Sequence, residues 1–128
     1  MKKLLLIAIM FVLVGQAVAQ IGKSKQEIIA IEGYEYELDH NERGEELIYT
    51  TTRDDGSKYI TYYMFKDNIC YLMAVADHIS NVNKYVNIMN NKYVRVSTYT
   101  WRDYVSEMEY SIETDENICL IFIHSFKK

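Results

Sequence analysis

The 128-residue chain is 49% hydrophobic and 25% charged, holds five glycines and no proline, and carries a net charge of −4. This is the composition of a globular protein, and it excludes general disorder, collagen-like structure and a large glycine-rich phosphate cradle. An acidic chain repels phosphate backbones and anionic headgroups, so neither nucleic acid nor an anionic membrane surface is an expected partner.

The chain opens with Met1-Lys2-Lys3, an apolar run from Leu4 to Val14, and Ala17-Val18-Ala19 followed by Gln20. A basic start, a short apolar stretch and an A-x-A site form a secretory signal. The apolar run is too short for a spanning helix, which needs about 20 residues. Residues 1–19 are therefore predicted to be a signal peptide cleaved after Ala19. The product, 20–128, is a single α+β domain, secreted or periplasmic, without a stable membrane anchor. Losing 19 residues and two lysines leaves 109 residues with a charge of −6. This junction, with a composition rich in Asn, Ile, Lys and Tyr, resembles small exported proteins of the Bacteroidota.

Ser24-Lys25-Gln26-Glu27 has capping-box spacing, and Gly33 supplies a stop, which predicts a helix of two to three turns. Strands are predicted at 34–39, 47–52 and 59–65, then at 69–76, which is apolar on both faces and therefore interior. Asp54-Asp55-Gly56-Ser57 is the clearest hairpin signal. A second helix is predicted over about 80–90, where Val82, Tyr85, Val86 and Met89 form one stripe and Asn81, Asn83, Asn87 and Asn90 take the outer face. Strands at 93–98, 101–105 and 108–113 follow, and 118–126 is again apolar on both faces and interior.

The order α-β-β-β-β thus occurs twice. Asp67-Asn68-Ile69-Cys70-Tyr71-Leu72 aligns with Glu116-Asn117-Ile118-Cys119-Leu120-Ile121 at an offset of 49. The expected fold is α+β: two α-β-β-β-β repeats, with halves near 22–77 and 78–128. They should form a mostly antiparallel sheet with both helices on one face. The opening Gly22-Lys23-Ser24-Lys25-Gln26-Glu27-Ile28 resembles the G-x-[ST]-x-x-E-[VI] start of SmpA/OmlA-type envelope modules and the repeats of secreted β-lactamase inhibitor protein. Those families imply helices on one face of an antiparallel sheet. They carry two helices per repeat where this chain has one, and no functional residue is carried over.

No motif for chemistry emerges. His40, His78 and His124 lack the spacing of a metal site, and no serine sits in a nucleophile elbow. The acids Glu45-Glu46 and Asp54-Asp55 lie in turns. No catalytic residue, metal or cofactor is expected, and the protein is predicted not to be an enzyme. Cys70 and Cys119 are expected to be buried free thiols. Equivalent positions on antiparallel twofold-related strands lie about 20 Å apart, beyond the roughly 7 Å a bridge allows.

The feature above background is 12 tyrosines with Trp101. Tyr and Trp are rigid, amphipathic anchors. The expected function is non-enzymatic binding of another envelope or extracellular protein, or a glycan, through a sheet face carrying Tyr59, Tyr63, Tyr99, Trp101 and Tyr104. The alternatives are a structural envelope protein that forms homodimers through that face, or a small hydrolase with an unrecognised site.

Overall fold

The structure is a computed structural model and describes residues 20–127. The predicted signal segment lies outside the described residues. The first helix, α1 (Lys25–Glu32), starts at the expected capping box: Ser24 Oγ accepts from Glu27 N–H at 3.2 Å, and Glu27 Oε1 accepts from Ser24 N–H at 3.2 Å. It ends at Gly33, whose φ of 105° suits a residue without Cβ. The strands β1 (Glu37–Asn41), β2 (Gly44–Thr52), β3 (Lys58–Lys66) and β4 (Ile69–His78) follow. A 3₁₀ turn (Ile79–Asn81) leads into α2 (Val82–Lys92), then β5 (Val94–Ser97), β6 (Thr100–Asp103), β7 (Met108–Thr114) and β8 (Ile118–Ser125).

All eight strands form one antiparallel sheet in the order β1-β2-β3-β4-β8-β7-β6-β5. The α+β class, the hairpin at 53–57 and the interior position of β4 and β8 follow the sequence reading. The first strand does not. It starts at Glu37 rather than Tyr34, because the chain leaving Gly33 must first cross from helix to sheet edge.

Register separates the two faces. Thr61, Val75 and Ile121 are neighbours across β3, β4 and β8, as are Tyr63, Met73 and Ile123. Val75, Ile121, Tyr63, Met73 and Ile123 share one core with Ile28 of α1 and with Tyr85 and Met89 of α2, so both helices cover the same face. The other face carries the ladders Tyr62-Ala74-Phe122 and Ile60-Ala76-Leu120, mostly half-buried. Pleating alternates side chains between faces, which is why the interior strands are apolar on both.

The cysteines occupy opposite ends of the central pair. Cys119 lies beside Asp77 near the end of β4, whereas Cys70 lies near its start. Both are free and buried. Burial pushes each thiol up to about 11, so neither is an activated nucleophile.

Candidate functional site

On the helix-covered face, α2 and α1 close the sheet to different degrees. Under α2 the packing is full. Trp101 is 0% exposed, lies opposite Tyr110 in register, and donates from Nε1 to Asn90 Oδ1 at 2.8 Å. Tyr93 stacks on Tyr110 with centroids 4.5 Å apart and planes 10° from parallel. At the end of β4, Asp77 gathers five donors. Arg53 reaches Oδ1 at 3.2 Å and Oδ2 at 2.5 Å, Tyr85 O–H reaches Oδ2 at 2.8 Å, and Asn81 Nδ2 and His78 N–H reach Oδ1 at 3.1 and 2.8 Å. Burial alone would raise the Asp77 carboxyl, but the hydrogen bonds from Arg53, Tyr85 and His78 outweigh it and hold it below the usual carboxylate range. This network ties the β2–β3 hairpin, β4 and α2 together.

Beside α1 the sheet is left partly uncovered, because α1 has eight residues and buries only Ile28. A partly enclosed cavity of about 180 Å³ opens there. Its walls are the rings of Tyr49, Tyr59 and Tyr63, with Thr61 and Met73 alongside. Glu32 and Glu35, at the end of α1 and just beyond it, form the rim. Register explains the convergence: Tyr49 pairs with Thr61 across β2 and β3, and Tyr63 pairs with Met73 across β3 and β4.

The cavity's polar atoms are partly committed. Tyr49 O–H donates to Gly33 O at 2.9 Å, and Tyr63 O–H to Glu32 Oε1 at 3.4 Å. Gln20 Nε2 donates to the same Glu32 Oε1 at 2.8 Å, while buried Gln20 Oε1 has no partner among the described residues. Tyr49 and Tyr63 meet edge to face, with centroids 5.9 Å apart at 83°, and Tyr36 continues the series at 6.0 Å from Tyr49. Burial, then the charge of Glu32, then Tyr36, push the Tyr49 phenol up to about 12. Burial first, then Glu32, push Tyr63 up as well. Both are neutral phenols at physiological pH.

The five aromatic residues singled out from sequence do not form one platform. Trp101 is core. Tyr59 and Tyr63 point to the helix-covered face and meet at the cavity. Tyr99 and Tyr104 are exposed elsewhere, the latter against Phe126 with centroids 5.7 Å apart. The reason is pleating: Trp101 alternates to the side that α2 covers, where the largest ring fills the most space. Glu32, Glu35, Thr61 and Met73 were not singled out, because only strand register brings them together.

The histidines do not converge. His78 accepts from Ser80 N–H at 3.1 Å, His124 pairs with Glu109 at 3.0 Å, and His40 lies on edge strand β1. Among the described residues no cluster of three or more His, Cys, Asp or Glu side chains is placed to hold a metal ion, and no helix is long and apolar enough to cross a membrane. Comparison with known families, curated proteins and solved structures found no match to this chain.

Proposed function

We propose that this is an exported, non-enzymatic binding protein whose binding element is the tyrosine-walled cavity beside α1. The observation that carries the reading is the convergence of Tyr49, Tyr59 and Tyr63 on a partly enclosed cavity with two carboxylates at its rim. Concave sites with aromatic walls and a few placed polar groups are the usual form of ligand pockets. The cavity suits a small molecule or one projecting group of a larger partner. Export rests on the segment ending at Ala19. Cleavage there leaves Gln20 as the first residue, held by Glu32.

We also propose that 22–77 and 78–128 derive from one duplicated α-β-β-β-β unit. The matching letters around Cys70 and Cys119, one helix before four strands in each half, and the mirrored strand order about β4 and β8 support it. One copy then kept a closed helix-covered face and the other kept an open one.

The binding reading is tested by amide NMR spectra of the exported protein with and without a low-molecular-weight extract of its envelope fraction and medium. Shifts confined to 32–35, 49–51, 59–63 and Met73 are the expected result. Shifts centred on Tyr62, Phe122 and Leu120 would move the binding element to the opposite face, and no shifts would reject it.

A further inference from the structure

We infer that the cavity takes an organic cation, an alkylammonium or guanidinium group. The inference rests on the binding reading above and adds the ligand's chemical class. Charge sign comes first. The lining contributes the carboxylates Glu32 and Glu35 and no lysine, arginine or histidine. A desolvated cation would be attracted there and an anion repelled.

The rings point the same way. Aromatic faces carry negative electrostatic potential and hold cations within about 6 Å of the centroid. Tyr49 and Tyr63 meet edge to face at 83°, and Tyr59 adds a third ring to the lining. One of these rings already serves a cation within the molecule: the Arg53 guanidinium lies 4.7 Å from the Tyr59 centroid. That charge is taken up by Asp77, so it does not neutralise the rim carboxylates.

The Tyr49 and Tyr63 hydroxyls are bonded to Gly33 O and Glu32 Oε1. Tyr59, Thr50, Thr51 and Thr61 bring further hydroxyls to the lining, beside Glu32 and the exposed Glu35 carboxylate. Hydroxyls serve neutral and charged ligands alike, so the two carboxylates set the preference for a cation. A metal ion would want a denser oxygen or nitrogen set than two carboxylates beside rings. An ammonium or guanidinium group uses what is present: ring faces for its desolvated side and carboxylates for its charge. The group could come from a free small molecule or from a side chain on a polypeptide, and the test separates these sources.

The test is an amide NMR titration of the exported protein with choline and with 3,3-dimethyl-1-butanol, which has the same shape without the charge. A third arm uses a short peptide containing trimethyllysine. Choline or the peptide is expected to shift residues 32–35, 49–51 and 59–63 and to bind at least about fivefold more tightly than the alcohol. The tighter of the two identifies the source. Glu35→Gln lies on an exposed side chain and is expected to weaken choline severalfold and more than it weakens the alcohol, narrowing the ratio between them, with the unfolding midpoint unchanged. Equal binding of choline and alcohol at the cavity would overturn the cation assignment and keep the binding reading. So would cavity shifts with the envelope extract but none with any cation. Silence at the cavity towards every probe and the extract would overturn both.

Discussion

The ground under α2 and the ground beside α1 are built from the same materials and end differently. Each is a helix over four antiparallel strands, rich in tyrosine, on the same face of one sheet. Under α2, 11 residues long, Tyr85, Met89, Trp101 and Tyr110 fill the space and the polar atoms of Asp77 are satisfied many times over. Beside α1, eight residues long, three tyrosine rings stand around a cavity. A difference of one turn of helix separates a filled core from a pocket. Tyrosine content therefore says little about a site until helix length and strand register are known.

The largest expected effect breaks the closed side. Asp77→Asn leaves the Arg53 guanidinium, 7% exposed, without its counter-charge. The loss should be about 3–5 kcal/mol, measured by urea unfolding. Trp101→Ala should cost a similar amount, about 3–5 kcal/mol, by emptying the centre of the same region. Neither figure is expected on the α1 side, where Thr61→Leu places a larger apolar side chain at an existing cavity.

Acid separates the regions in the same way. The folded Asp77 carboxyl titrates below its unfolded value of about 3.9, so its contribution is full above that pH and is lost as pH falls through the folded value. Wild-type stability should drop over that window by an increment that Asp77→Asn lacks. Coincident pH profiles for the two proteins would contradict the role given to this network.

Two hydroxyl deletions sharpen the contrast on a smaller scale. Tyr85→Phe removes a donor to a buried carboxylate and should cost about 1.5–3 kcal/mol. Tyr110→Phe removes a buried hydroxyl that meets the hydroxyl of the stacked Tyr93 without well-formed hydrogen-bond geometry, so stability should change by less than about 1 kcal/mol. The smallest effect concerns the thiols. Alkylation should label neither Cys70 nor Cys119 in the folded protein and both after denaturation without reductant.

Much of the architecture was legible because local chemistry spelled it. The capping box at Ser24 and Glu27, the 53–57 hairpin and the two strands apolar on both faces are short-range signals. The outer face of α2 was legible at Asn83 and Asn87, which are exposed, but the bonds of Asn81 to Asp77 and of Asn90 to Trp101 were not, since they form only once the sheet is assembled. The candidate site was legible in part. Tyr59 and Tyr63 stood out as aromatic residues, but their face depends on pairing with β2 and β4. Glu32 reaches them only because α1 stops at Gly33. Trp101 misled for the complementary reason: a residue type common at binding surfaces is also the best filler under a helix.

The cavity beside α1 is the proposed binding element, and Thr61→Leu tests it most directly. The substitution fills the cavity from a position that is already buried and should leave the unfolding midpoint level or raised. Titrating wild type and Thr61→Leu with the same envelope extract, read by amide shifts at 32–35 and 49–51, should give binding in the first and none in the second. Undiminished binding by a folded Thr61→Leu protein would contradict the claim that this cavity is where the protein meets its ligand.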